Sequence, residues 1–501
     1  APERVEGSLD AEGTFTRRAQ GWQAEMTLTP HAMAIVRGNR PRRIAGPIRI
    51  ALTPKALTLT TDAWRWVKRP EGMELQGEGE DWPAWAAEMC AALGLPLPDG
   101  KGRAALSIHL GKHKGSFRVD ATTGTLSWWG LKKDPEAPLR CEGRWLAEQR
   151  KLVLRLQHCR TPILETENAS VLKTVTAFAV DTSLLRWASE TPALGLPFSG
   201  TWEGKGALQL GVRDLRIAGR WRAEGVRWGA VQLDAEAHGD GTLFSGQGRV
   251  QIGNVWLAIK ALRGHSRARY ARALVQDLSV GRSDPEAIAQ AMAALRHWRL
   301  ELAPARGARV ELWNTPLRWR RGVLALADGE LRSQAIELRA GQGRLQLMSL
   351  ALTPKPEADA PLWLDAKLRA EHVRAADIPA WLGWLHGSLR AQIDAQLWVR
   401  MGLPWAQSRF WTLTDLALYG PEWQTATGSS RADKLEMQLR ANGEAITAPK
   451  ILLVRGSRKL QGSAAIAESG VLSGEIQGEG QRFQLFGAVA APQWSPIERT
   501  P

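Results

Sequence analysis

Tyrosine is nearly missing from this sequence: 2 residues among 501, beside 8 Phe and 24 Trp. A transmembrane β-barrel carries aromatic girdles at both interfaces. The shortage of Tyr, with the mid-chain helical segments noted below, argues against an outer-membrane barrel. Long apolar runs are missing too. No stretch reaches the roughly 18 residues that a spanning helix needs, and the longest candidate, Ala84 to Leu97, is broken by Glu88 and Gly94. The chain opens at Ala1-Pro2-Glu3 with neither Met nor a signal-like apolar stretch. The expectation is that either a removed leader or a membrane anchor preceded it.

Motifs that carry chemistry are also absent. The sequence has no Gly-x-x-x-x-Gly-Lys-Ser/Thr, Gly-x-Ser-x-Gly, His-Glu-x-x-His or paired Cys-x-x-Cys. Phosphate-loop, hydrolase and zinc readings therefore lack the spacing that their geometry demands. Ser170-Val171-Leu172-Lys173 matches a bare Ser-x-x-Lys, but its companion Lys-Thr-Gly is missing and it runs into an alternating stretch. His109 and His113 have helical metal-ligand spacing, yet they sit on a strand pattern broken by Gly111. No catalytic residue, metal ligand or cofactor is assigned, and the chain is expected not to be an enzyme.

What is present is alternation. Ile48, Ile50 and Leu52 oppose Arg49 and Ala51; Leu106, Ile108 and Leu110 oppose Ser107 and His109. Leu152, Leu154 and Leu156 repeat the scheme, as do Leu208 with Leu210, and Ile393, Ala395, Leu397 and Val399. Period two with one apolar face predicts antiparallel strands. Asp240-Gly241, Asp328-Gly329 and Asn442-Gly443 sit between such runs and suit type I′ hairpins, the clearest spanning Val323 to Leu338. The 49 Gly are in keeping with many turns.

Helical segments interrupt the strands at intervals. Asp81-Trp82-Pro83 and Asp377-Ile378-Pro379 each offer an N-cap followed by Pro, Asp284-Pro285 does the same, and Thr182 to Ala188 reads as a fourth helix. Starts near 81, 182, 284 and 377 imply a repeat of on the order of 100 residues. The predicted organisation is a β unit over 1–80, repeats over 81–181, 182–283 and 284–376, and a last repeat with β closure over 377–501. At this length a chain either splits into domains or grows by repetition. A single sheet of roughly 25 to 30 strands would exceed ~100 Å and must curl. The expected fold is mainly β: an elongated, repetitive antiparallel sheet curled into a hydrophobic groove, with a few short interrupting helices. Ile48, Ile50, Leu106, Ile108, Leu110, Leu152, Leu154, Leu156, Leu208, Leu210, Ile393 and Leu397 are the candidate groove residues.

The net charge is +15. Its arginines are spread along the chain, as in Arg213, Arg216, Arg220 and Arg222 or Arg318, Arg320 and Arg321, which reads either as a solvated outer face or as a surface for polyanions. Arg220-Trp221-Arg222 and Arg318-Trp319-Arg320 raise nucleic-acid binding as one rival, although no nucleic-acid-binding unit is recognisable and none is expected as partner. The tryptophans suit either sheet packing or a groove rim; Trp64 and Trp66, two apart, should share a face. Cys141 and Cys159 lie on two runs of a predicted hairpin, nearly opposite, so they are either a disulfide or two free thiols. Bonded, they would suit an oxidising compartment. Cys90 reads as a buried thiol.

The order of helix, Gly-led strand and meander, with the closing run Gly470-Val471-Leu472-Ser473-Gly474-Glu475-Ile476 through Phe483-Gln484-Leu485-Phe486-Gly487 to Pro492, resembles the AsmA-like proteins of Gram-negative envelopes, the group that includes the TamB and YhdP types. The resemblance covers most of the chain and rests on pattern. It implies a periplasmic β structure tethered to the inner membrane by an N-terminal segment. It further implies a hydrophobic groove and a role in moving phospholipid or glycolipid between inner and outer membranes, with envelope proteins as possible partners. A β scaffold for envelope or outer-membrane protein assembly is the alternative expectation.

Overall fold

Alternating sequence gives strand almost throughout. The computed structural model describes residues 4–497 apart from 38–39, 44–45, 81–98, 112, 122–123, 129, 149–150, 174–176, 194–197, 212–214, 282–283, 356–359, 379–388, 405, 426–427, 444, 468–470 and 489–490. The protein is mainly β, built on repetitive antiparallel pairing. It divides into two compact units: residues 1–211 with 216–226, and residues 212–215 with 227–501.

In the first unit the long strands Arg4–Arg18 and Gly21–Arg37 form a hairpin. Gly21–Arg37 also pairs with Ile48–Thr53. From there the strands pair with their neighbours in chain order through Lys114–Asp120, Arg140–Glu148 and Lys151–Arg160 to Phe198–Gly211. A separate three-stranded sheet of Asp99–Lys101, Thr125–Trp128 and Leu131–Lys133 lies over one end of these strands. Its Leu126 and Leu131, with Ala121 and Leu139, pack on Trp64, Leu75, Ala104 and Leu106. Lys133 anchors this sheet: its buried ammonium donates to the carbonyls of Gly124 at 2.8 Å and Asp134 at 3.0 Å. Burial pushes its pKa down, and the Asp134 carboxylate partly opposes that.

The second unit is again a meander, from Val231–Asp240 to Ala491–Pro496. Among the described residues it has one parallel pair, Tyr270–Val280 with Arg299–Leu312. Parallel neighbours need a crossover rather than a hairpin, and the helix Pro285–Ala294 supplies it. Asp284 caps that helix by accepting the Ala287 N–H at 3.1 Å, and Pro285 opens it. The helix touches strands Leu243–Ile252, Gly343–Pro354 and Leu362–Arg374. The first and last of these are seven strand spacings apart, about 34 Å on a flat sheet. The helix is only ~15 Å long and ~10–12 Å wide. This part of the sheet therefore curls around the helix, whose Met292 packs with Leu326 and Leu362.

Bulges help the curl. Register shifts occur in strand after strand, with Gly322 (φ 94°) and Ala335 (φ 53°) in the left-handed region at one of them and His372 (φ 55°) at another. Each added residue bends and twists its strand. It also moves the apolar alternation on by one and then resumes it. Leu345 and Leu347 face inward before such a shift and Leu350 and Leu352 after it, all four buried or half-buried.

Several expectations need correction. Thr182 to Ala188, expected as helix, lies inside the strand Ala177–Ser189. A bulge between Thr182 and Leu185 there puts paired residues three apart and imitates helical spacing, while pairing to both neighbouring strands decides the conformation. The expected boundary at 182 thus falls within a strand. Asp377 closes a single 3₁₀ turn, Ala375–Asp377; the rest of that helix, the helix expected from Asp81, and Cys90 lie outside the described residues. Asp328-Gly329 has both residues at positive φ, as type I′ demands. At the other two turns only the Gly does. There the polar side chain closes a longer loop instead. Asp240 accepts from the Leu243 and Thr242 N–H groups, both at 2.8 Å, which hold its carboxyl below the usual range. Asn442 accepts from Ala445 at 3.0 Å.

Tryptophan and glycine meet across strands. A Cβ built on Gly77 would lie 2.7 Å from the Trp64 ring, and one on Gly143 would lie 3.0 Å from Phe117. Gly204 beneath Trp221, Gly115 beneath Trp145 and Gly264 beneath Phe244 repeat the arrangement. Each ring covers a neighbouring backbone that has no side chain of its own. This device accounts for a share of both unusual counts. Gly77→Ala should therefore displace the buried Trp64 and cost about 1–3 kcal/mol, read as a lowered urea midpoint with a shifted tryptophan emission.

Candidate functional site

Residues directly opposite in an antiparallel ladder share a face, so the register shows which apolar side chains form one surface. In the first unit Met26, Ile50, Leu59, Trp66, Leu75, Ile108, Phe117, Gly143, Leu156 and Ala169 are successive partners across ten strands. Three candidate groove residues, Ile50, Ile108 and Leu156, fall on this single rung. A parallel rung runs through Met73, Leu110, Gly115, Trp145, Leu154, Val171, Val180 and Leu208. It holds three more candidates, Leu110, Leu154 and Leu208. Leu106 sits on a third rung, opposite Gly77 and Val119. Ile48 pairs with Leu28. Leu152 and Leu210 pair through their backbones with Lys173 and Phe178.

The exposure of this face is graded. At the edge under the small sheet, Trp64 (2%), Leu75 (1%) and Leu106 (4%) are buried. One step along each strand Trp66, Ile108 and Phe117 are half-buried, as are Leu59, Met73 and Leu110. At the far edge Leu52 is 43% exposed, and Phe15 in the first strand is 65% exposed. Residues of a closed core are buried on all sides. Here one edge is closed, Leu156 (6%), Ala169 (2%), Val180 (2%) and Leu208 (4%) are buried further along the sheet, and the side chains between, from Leu59 to Phe117 apart from Leu75, are half-buried.

The second unit repeats the pattern with its own rung. Trp319, Leu338, Leu345, Ala370, Ala395, Leu416, Met437, Ile451, Gly462, Ile476 and Phe483 are successive partners. The first four are buried; from Ala395 onward the side chains are half-buried. Ile393, opposite Val373 and Leu418, is buried, and Leu397, opposite Leu368, is half-buried. Most members of these rungs escape a reading of single strands, because only the cross-strand register shows that Leu59, Leu75 and Ile108 are neighbours. Trp66 was visible through its spacing from Trp64, and the two do share a face.

The outer faces are charged. In the first unit opposite charges meet across strands: Arg140 donates to Asp120 at 2.8 Å, and Glu165 lies 3.9 Å from Arg160 and 3.4 Å from Arg186. Such exposed pairs contribute ~0–1 kcal/mol each. The two Arg-Trp-Arg segments are simple alternation. Trp221 and Trp319 are buried, donating their indole N–H to Ala218 O at 3.0 Å and Arg321 O at 2.9 Å, while the flanking arginines point out. Neither ring has a face available to stack on a base. Around Phe198, Trp187 and Trp202 form an aromatic cluster at 5.9 and 5.4 Å whose indole N–H groups find no acceptor among the described residues.

Cys141 and Cys159 are directly opposite, with Cα atoms 4.0 Å apart, and are bonded. The disulfide lies on the Leu106 rung, next to the buried Thr166, whose hydroxyl donates to Leu184 O at 2.7 Å. Ser170 to Lys173 is strand and His109 and His113 are exposed, so neither near-motif has the helical geometry its chemistry uses.

No known protein family matches this chain, and neither does any curated protein or solved structure. The disulfide staples the closed edge of the apolar face. Replacing both cysteines by Ser should lower stability by about 3 kcal/mol, the chain-entropy value for a loop of this length. Urea unfolding of Cys141→Ser/Cys159→Ser beside the oxidised protein measures it, and adding reductant to the latter should reproduce the loss.

Proposed function

We propose that this chain binds lipid along the apolar face of its sheet and conducts it in a Gram-negative envelope, without catalysing a reaction. The observation that carries the reading is the half-buried part of the apolar rungs, from Met26 to Phe117 apart from Leu75 and from Ala395 to Phe483, where side chains are held in line across several strands and stay open to solvent. Apolar surface left in water costs about 25 cal/mol per Å², and an acyl chain laid on it recovers ~0.8 kcal/mol per methylene. In the first unit the stretch from Met26 to Phe117 crosses six strand spacings, about 29 Å of contour. One leaflet is about half of the ~30 Å hydrocarbon core, so this contour has room for more than one acyl chain abreast.

The closed edge and the charged outer face favour the same reading. A trough shut on one side and open on the other takes acyl chains inward and leaves head groups at the rim, where water meets them. The cross-strand disulfide suits an oxidising compartment such as the periplasm. The likeness in pattern to AsmA-like proteins agrees with all three. On this reading the chain serves transport of phospholipid or glycolipid between inner and outer membranes, held to the inner membrane by an N-terminal segment.

Native mass spectrometry with lipid extraction tests it. The purified protein should carry several phospholipid or glycolipid molecules, and Ile108→Asp together with Leu154→Asp should lower the number bound to the first unit. A folded protein free of lipid would overturn the proposal and leave the assembly scaffold as the better reading.

A further inference from the structure

On the outer face of the second unit exposed arginines gather at a break in the strand register. Strands Arg299–Leu312 and Thr315–Ala327 pair through Leu300–Leu302 with Leu324–Leu326, then shift register, and pair again from Arg309 with Arg318. At that opening lies a depression of about 170 Å³, lined by Gly307, Ala308, Arg309, Arg318, Trp319 and Arg320. Trp319 is buried and is fixed by its N–H bond to Arg321 O at 2.9 Å. Arg309, Arg318 and Arg320 are all exposed.

The charges around it do not cancel. Arg309, Arg318, Arg339 and Arg344 are successive cross-strand partners, with Asp277 opposite Arg309 at one end and Glu371 opposite Arg344 at the other. Arg344 is neutralised by Glu337 at 3.4 Å and Glu371 at 3.9 Å. Among the described ion pairs none involves Arg309, Arg318, Arg320 or Arg339. Like charges directly opposite each other in a ladder are destabilising. The first unit also places Arg140 opposite Arg160, but there each arginine has a carboxylate in reach, Asp120 for Arg140 and Glu165 for Arg160. The second unit keeps arginines in register around a concavity. Paired residues on adjacent strands have Cα atoms about 5 Å apart, so long arginine side chains from both can reach one phosphate group, whose oxygens planar guanidinium forks bind bidentately.

We infer that Arg309, Arg318 and Arg320 form a phosphate-binding site on the outer face of the second unit, taking the phosphate of an anionic lipid head group or free phosphate. The site is separate from the apolar rung and stands whether or not that rung binds lipid. Binding is tested with two probes: vesicles of phosphatidylcholine with and without phosphatidic acid, and inorganic phosphate followed by ³¹P line broadening. The test variant is Arg309→Gln/Arg318→Gln/Arg320→Gln. A control of equal charge change, Arg249→Gln/Arg263→Gln/Arg440→Gln, removes exposed arginines elsewhere on the same unit. Neither triple removes a buried group, and circular dichroism confirms that both fold.

The wild type should bind phosphatidic acid vesicles, and the test triple should weaken this by about fivefold per arginine, on the order of a hundredfold in all. The control should stay within about twofold of the wild type. Broadening of free phosphate that the test triple abolishes identifies a site for the soluble ion as well; broadening absent from both proteins, with vesicle binding kept by the wild type, identifies the lipid head group as the source. Equal losses in the two triples would overturn the proposal in favour of general surface charge. A wild type that binds neither probe would also overturn it.

Discussion

The structure depends on one constraint, that cross-strand register is never lost by a single residue without a bulge that recovers it. Side chains alternate with period two, so a slip of one would carry every apolar residue of a strand to the wet face. Leu345, Leu347, Leu350 and Leu352 stay inward through a register shift because the bulge takes up the odd residue. The same bulges bend the strands, so one device keeps the apolar rungs in line and curls the sheet around them. In the second unit the helix Pro285–Ala294 fills the curl at one end. In the first the small sheet held by Lys133 closes an edge.

Much of the fold was legible in the sequence and the reasons are local. Strong alternation, as in Leu106-Ser107-Ile108-His109-Leu110, gives strand wherever it occurs. The Asp284-Pro285 start gives a helix because cap and first-turn Pro act without tertiary help. Errors arose where tertiary pairing overrode local spacing, as at Thr182, or where an Asx side chain closed a turn that its dipeptide suggested would close by backbone alone, as at Asp240 and Asn442. The candidate surface was legible one strand at a time. That Ile50, Ile108 and Leu156 lie on one line depends on turn lengths and bulges summed over many strands, and no periodicity within a strand carries that information. The arginine row behind Trp319 was visible as composition, but its in-register stacking was not.

Tryptophan richness has a structural basis before any functional one. Rings over cross-strand glycines, such as Trp64 on Gly77 and Trp221 on Gly204, seal a single-layer sheet from one side. That leaves fewer indoles at the rim than 24 tryptophans suggest. Parts of this layer have no second layer over them among the described residues. Half-buried Ile108, Phe117, Leu416 and Ile451 hold apolar area that a second layer would otherwise cover. In our account a lipid acts as that layer, and the open edge is where it enters.

The most direct test is to ask what touches the inner face in the cell. A photo-crosslinking amino acid placed at Ile108, Leu154 or Leu416 should capture phospholipid or glycolipid, and one at the outward Arg118, Arg155 or Asp415 should not. That contrast would place lipid on the apolar rungs. Equal labelling of both faces, or capture of protein alone at the inner positions, would contradict the account.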